Sequence, residues 1–240
     1  MGATVLAWLG VVRADAAMEM SHGGSELSWS AAAAYTLQWG VMMAAMMIPS
    51  AAPMILLYGG ISRRAAKSGE RVIPAEVFTL VYLALWLLTG VPVYAASVAI
   101  GNLVAQSAAA EKVLPYAIAA TLLAAGIYQF SAAKRACLAQ CQSPADFVMR
   151  RWRAGYGATL RLAARHAAYC IGCCWALMVV LVSAGSMSLP WVLAIALAVF
   201  AERTLPGGQR TARVIGVLLL GAAAAVALDF APFSKSGNSM

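Results

Sequence analysis

The chain has 240 residues, of which 62% are hydrophobic and only 11% are charged, and its mean hydropathy is +0.79. Because the charged fraction of a soluble globular domain lies near about 25%, this composition excludes that class and indicates a membrane protein. The formal net charge of +8 would suggest a nucleic-acid partner in a soluble chain. In an apolar chain, the first question is whether the basic residues lie in the loops on one side of the membrane. An odd count of five cysteines does not indicate a disulfide scaffold.

Six apolar runs are candidates for membrane spans, each of which needs about 20 mostly apolar residues. They cover residues 32–58, 75–103, 113–133, 166–187, 189–201 and 211–228. The fifth run is short and has Pro190 near its start, where a first-turn proline is tolerated. The sequence therefore predicts an all-α fold, a polytopic transmembrane helix bundle with six spans in one domain over residues 32–229.

The distribution of basic residues predicts the orientation of the spans. With the amino terminus placed outside, the cytoplasmic connections carry fourteen of the 17 Lys and Arg residues. These are Arg63, Arg64, Lys67, Arg71, Lys134, Arg135, Arg150, Arg151, Arg153, Arg161, Arg165, Arg203, Arg210 and Arg213. The opposite side holds Arg13, Lys112 and Lys235. The positive-inside rule then predicts a multi-pass membrane protein, with residues 1–31 and 230–240 outside the cytoplasm. Anionic lipid headgroups suffice as partners for the basic loops, so no nucleic acid is required.

The amino-terminal segment contains an apolar run at residues 4–12 that is too short to span a membrane. Residues 14–16, Ala-Asp-Ala, resemble a small-residue cleavage site. No basic residue precedes the run, although signal peptides begin with a basic region. A cleaved signal peptide and an uncleaved or truncated hydrophobic segment both remain open for residues 1–17.

The first predicted span carries four methionines as two i, i+4 pairs, which place their thioethers one helical turn apart. The pairs are Met42 with Met46 and Met43 with Met47. A thioether is a soft ligand that suits Cu(I), although methionine also fills gaps in apolar cores, so a packing role stays open. Pro49 and Pro53 remove helical hydrogen bonds and predict an opening of this helix.

The fourth predicted span carries the densest set of candidate ligands in the chain. His166, Cys170, Cys173, Cys174 and Met178 follow one helical stripe. Thiolate, imidazole and thioether together favour Cu(I), and after it zinc or an iron–sulfur centre, over a hard cation. The alternative is that cysteine packs as a small hydrophobic residue at a close helix contact.

Two further cysteines, Cys137 and Cys141, lie four residues apart just beyond the third predicted span. The preceding Lys134 and Arg135 would favour the thiolate form of these side chains. The topology predicts that all five cysteines converge near the inner interface. Their i, i+4 spacing differs from the Cys-x-x-Cys spacing of thioredoxin-like pairs.

A second, weaker ligand pattern lies outside the membrane, where Met18, Met20 and His22 precede the first span. Two thioethers and an imidazole can capture copper in an oxidising compartment, where thiols are lost. Methionine and histidine outside and cysteine toward the cytoplasm would form a gradient of soft ligands.

Ionisable residues are scarce within the predicted spans. Glu76 and Glu202 are predicted at helix ends that reach the interface, which argues against a pump built on buried carboxylates. The sequence contains no Ser-His-Asp set, Walker loop or dinucleotide-binding glycine pattern, so we assign no catalytic or cofactor-binding residues.

The spacing of these residues resembles a bacterial family of predicted metal-binding integral membrane proteins, a domain of unknown function with some members labelled copper chaperone. The resemblance covers about residues 35–225. It rests on Trp39, Met43, Ala45, Met46, Met47, Pro49, Lys134, Cys137, Leu138, Cys141, Pro144, Gly172, Cys173, Cys174, Trp175, Leu177, Met178, Gly185, Met187, Trp191 and Glu202. The chain departs from the family pattern at Gln142, where the family has a basic residue, and at Arg203, where it has lysine. The resemblance implies metal binding.

The leading hypothesis is a copper-handling protein that accepts Cu(I) outside and passes it along the methionines of the first span to the five cysteines. A donor or acceptor protein for the metal, and an oligomer, are further expected partners. Two alternatives remain open: a membrane thiol oxidoreductase or subunit of a copper-dependent enzyme, and a structural protein whose Met and Cys serve only packing.

Overall fold

The computed structural model describes residues 28–183 and 189–236, which form eight α-helices and no strand. The helices are α1 (Trp29–Lys67), α2 (Ala75–Gln106), α3 (Ala108–Gln129), α4 (Ala132–Gln142), α5 (Pro144–Arg151), α6 (Tyr156–Ser183), α7 (Leu189–Thr204) and α8 (Gly208–Ser236). The all-α prediction is confirmed. The predicted ligands Met18, Met20 and His22 lie outside the described residues.

Four helices are long and apolar enough to cross a membrane, and the count is five if the bent pair α3–α4 forms one span. The four are α1, α2, α6 and α8. Helix α7 has 16 residues, so it extends about 24 Å at 1.5 Å per residue. That is less than the hydrocarbon thickness of about 30 Å. A helix is present at each of the six predicted apolar runs. Only four to five of them are long and apolar enough to cross a membrane.

The third predicted span does not continue to residue 133, because α3 ends at Gln129 and the axis bends by 62° before α4. Ser131 starts the new helix, since its hydroxyl accepts a hydrogen bond from the Lys134 amide at 3.0 Å, as an N-cap serine does. Pro144 then opens α5 at its first turn. The segment 134–165, predicted as a polar connection, is thus largely helical.

Two predictions about helix continuity are wrong. Helix α1 is unbroken from Trp29 to Lys67 although it contains Pro49 and Pro53, because each proline removes only one backbone hydrogen bond and both prolines lie off the buried face of the helix. Helix α6 begins at Tyr156, ten residues before the predicted start. Hydropathy marks the apolar part of a helix, whereas its backbone hydrogen bonds extend into the polar part.

Helix α6 lies at the centre of the bundle. Its most apolar 18-residue window is 56% buried, whereas the corresponding windows of α2 and α8 are 11% and 17% buried. It packs against α2, α3 and α4, while α1 packs against α2 and α7. The helix that carries the Cys stripe is therefore the most enclosed of the candidate spans.

Side-chain packing sets α1 and α6 antiparallel. Tyr58 of α1 and Leu162 of α6 share one buried cluster, and Ser50 and Cys170 are joined through a common partner, Arg203, at 2.9 Å from each. The two levels are eight residues apart on both helices, and the numbering runs in opposite directions. Met46 and Cys174 belong to another buried cluster that the two helices share.

Candidate soft-metal site

One buried cluster unites the predicted thioether and thiol residues. Each of the nine Met and Cys residues in it is at most 6% exposed. The cluster contains Met42, Met43, Met46 and Met47 from α1, Cys141 from α4, and Cys170, Cys173, Cys174 and Met178 from α6. The sequence predicted methionine and cysteine at separate depths. The structure instead places both sets in one buried core to which α1, α4 and α6 contribute.

Three cysteine thiols form a continuous chain of contacts across α4 and α6. The Sγ atoms of Cys173 and Cys174 are 3.2 Å apart, and those of Cys141 and Cys173 are 3.9 Å apart. The Sγ of Cys173 also donates to the Cys170 carbonyl oxygen at 3.2 Å. The predicted convergence of these side chains on one place is therefore observed, with α4 delivering Cys141 after the bend at Ser131.

Cys137, the fifth cysteine, is half-buried at the contact of α4 with α6. A Cβ atom on Gly172 would lie 3.0 Å from its Sγ. The missing side chain of Gly172 thus creates the space that Cys137 occupies, one residue from Cys173. This thiol lies at the edge of the cluster rather than within its core.

The cation that contacts a thiol is Arg203, which sequence reasoning missed. Its Nη1 donates to Cys170 Sγ and to Ser50 Oγ, both at 2.9 Å, and the side chain is 5% exposed. The phenol of Tyr82 lies 3.1 Å from the same sulfur. One sequence signal pointed to Arg203, because the chain departs at this position from the family pattern, which has lysine. The predicted cations act elsewhere: Lys134 donates to the Cys173 carbonyl oxygen and Arg135 to that of Phe130.

His166 lies one turn from Cys170 in a pocket of aromatic rings. The ring centroids of Tyr82, Phe147 and Phe78 lie 5.5, 5.7 and 6.1 Å from that of the imidazole. The side chain is 1% exposed, and neither nitrogen has a hydrogen-bond partner among the described residues. Both nitrogens are thus free of competing contacts there, as a soft-metal ligand requires at one of them.

Beside the thiols lies a buried ion pair between Lys134 and Glu202. Lys134 Nζ is 2.6 Å from Glu202 Oε2, and the two side chains are 1% and 0% exposed. Gln129 Nε2 donates to the other carboxylate oxygen at 3.0 Å, and Gln142 Nε2 donates to the Glu202 carbonyl oxygen at 2.7 Å. The prediction that Glu202 reaches the interface is wrong, because the bend after α3 brings Lys134 inward to neutralise it.

These buried charges also change the orientation argument. Lys134 and Arg203 were counted among fourteen cytoplasmic basic residues, but they are 1% and 5% exposed and face other protein groups. The remaining twelve still outnumber the three on the opposite side. The inferred orientation therefore does not depend on the two buried cations.

The described residues contain no group of three or more His, Cys, Asp or Glu side chains in the arrangement of a metal site. The thiols contact one another in pairs instead. Neutral thioethers beside ionisable thiols are nevertheless the ligand types that soft metals select. The fold and these contacts define an all-helical, apolar protein with a sulfur-rich core.

The family profile of the PpoB2 copper chaperones matches residues 36–226. The chain belongs to this family. No curated protein and no solved structure matches the chain. The match covers all nine members of the sulfur cluster, together with Arg203 and the Lys134–Glu202 pair.

Proposed function

We propose that this protein binds Cu(I) as cargo in the bacterial inner membrane and transfers it between partner proteins. The observation that carries the proposal is the single buried cluster in which three contacting thiols lie among the four methionines of α1. Soft, neutral thioethers and thiolates are the ligands that suit Cu(I). The family description as copper chaperones supports the same cargo.

Transfer would proceed by ligand exchange without a change of oxidation state. Cu(I) captured outside by Met18, Met20 and His22 would pass to the methionine pairs of α1. It would then pass to the Cys170, Cys173 and Cys174 thiols. Met46 and Cys174 lie in one buried cluster, so this second exchange would take place within the core. Cys141 and Cys137 on α4, with His166 and Met178 on α6, would complete the set from which an acceptor protein withdraws the ion.

The membrane arrangement that we propose has six spans, with α7 as a short one and both termini outside the cytoplasm. The excess of basic residues on one side supports it. A periplasm-active phosphatase fused after residue 240 is expected to be active, and the same enzyme inserted in the loop at residues 69–73 inactive. The reverse pattern would overturn the orientation.

Cu(I) binding tests the proposed function directly. The purified full chain, reduced and kept anaerobic in detergent, is expected to withdraw Cu(I) from a chromogenic chelator in a stoichiometric amount. Met46→Leu is expected to weaken this binding by about tenfold, the low end of what loss of a supporting group costs a metal site. A swap of Met for Leu conserves volume and costs less than about 1.5 kcal/mol, so the fold should persist.

Met54→Leu provides the matched control. Met54 lies on the same helix and is 2% exposed, but it packs in a second buried cluster that contains no cysteine. This variant is expected to bind Cu(I) as the wild type does. Equal losses in the two variants, or no binding by the wild type, would contradict the proposal.

A further inference from the structure

Arg203 carries a permanent positive charge in the core without a carboxylate opposite it. Among the side chains that the structure describes, the salt bridge that forms joins Lys134 to Glu202 and does not involve Arg203. Arg203 is 5% exposed, and its Nε has no hydrogen-bond partner within the described part of the chain. A buried charge without a counter-charge is strongly unfavourable. Its compensation must therefore come from the other groups that face it.

The groups that face Arg203 are sulfur and oxygen atoms of the candidate site. Its Nη1 contacts Cys170 Sγ and Ser50 Oγ at 2.9 Å, and the Tyr82 hydroxyl lies 3.1 Å from the same sulfur. Of the groups that Arg203 contacts, Cys170 is the one that becomes anionic when it ligates a metal. The charge is therefore positioned to balance a thiolate complex.

The charge of Arg203 beside the thiols affects which ionic charge the metal site prefers. A two-coordinate Cu(I) site formed by the Cys170 thiolate, which Arg203 contacts at 2.9 Å, and one other thiolate of α6 carries one net negative charge, which Arg203 neutralises. The same two thiolates with a divalent cation are neutral, so the charge of Arg203 stays uncompensated in the core. A guanidinium cannot relieve this by losing its proton. The free-energy penalty of an uncompensated Arg203 charge therefore arises when these two thiolates bind a divalent ion. It does not arise when they bind a monovalent ion.

We infer that Arg203 is the specificity-determining residue of the thiol site and that its fixed charge selects Cu(I) over divalent soft cations such as Zn(II). The inference rests on the proposed function, because it assumes that the thiols bind metal. Arg203 also ties α7 to α1 and α6 through Ser50 and Cys170. A purely structural role of that kind would change the affinity for every metal by a similar factor.

The test compares Arg203→Gln, Arg203→Met and Arg203→Lys with the wild type as purified, reduced full chains. Affinities for Cu(I), Ag(I) and Zn(II) are measured by chelator competition. Both neutral variants are expected to lower the ratio of Cu(I) to Zn(II) affinity by at least about tenfold, the change that one uncompensated charge readily produces. Ag(I) should follow Cu(I), since it has the same charge, and Arg203→Lys should keep the wild-type ratio.

Equal changes for all three metals in the neutral variants, or an unchanged ratio, would overturn the role of Arg203. If neither neutral variant folds, the wild type decides: excess Zn(II) is expected to leave bound Ag(I) in place, and displacement of Ag(I) would overturn the inference. Failure of the wild type to bind Cu(I) would instead reject the proposed function. The two failures are therefore distinguishable.

Discussion

Lys134→Met is expected to lower the free energy of unfolding by about 3–5 kcal/mol, the usual cost of removing one partner from a buried ion pair. The lost charge would leave Glu202 as an unpaired carboxylate that is 0% exposed. It would also remove the hydrogen bond that Lys134 donates to the Cys173 carbonyl oxygen. Unfolding by SDS titration in mild detergent, followed by circular dichroism, measures the loss.

A double-mutant cycle separates the pair from its surroundings. Lys134→Met combined with Glu202→Leu removes both charges, so the double variant is expected to be more stable than the sum of the two single losses implies. Lys67→Met, at an exposed lysine in the last turn of α1, serves as the control, with a loss below about 1 kcal/mol. Additive losses in the cycle would show that the two side chains do not act as a pair.

The long helices and the Cys stripe of α6 could be predicted from local patterns. Apolar runs mark the inner part of each long helix because burial in lipid or protein demands it. The stripe of His166, Cys170 and Cys174 follows from helical periodicity alone. The approach of Cys141 to Cys173 followed from a helical α4 that enters from the same side as α6, although the 62° bend that directs α4 was not predicted.

The buried charges could not be predicted in this way. Lys134 and Glu202 are 68 residues apart, and they meet only because a 62° bend turns α4 inward against α7. Basic residues near helix ends are ordinarily orientation signals, and no local pattern distinguishes Arg203 from Arg210. The burial of Met46 and Cys174 in one cluster likewise depends on how the helices assemble, which the periodicity of a single helix does not contain.

Replacement of both Cys173 and Cys174 by alanine is expected to lower Cu(I) affinity by more than about 100-fold, the upper end of what loss of a mere supporting group costs. The reason is position: these Sγ atoms are 3.2 Å apart, and the first also lies 3.9 Å from Cys141 Sγ, so the variant removes the middle of the thiol chain. Because alanine is the best helix former, α6 should persist.

Chelator competition measures this affinity, and X-ray absorption at the copper edge reports whether sulfur still surrounds the ion. Val180→Ala is the matched control, since Val180 is 7% exposed on the same helix and offers no ligand; it is expected to bind Cu(I) as the wild type does. Wild-type affinity in the double-alanine variant would place the copper away from this cluster and leave these cysteines a packing role. Loss of Cu(I) affinity in the double-alanine variant but not in Val180→Ala would assign the thiols of α6 as ligands. Both variants alter the same helix, and only the double-alanine variant removes sulfur.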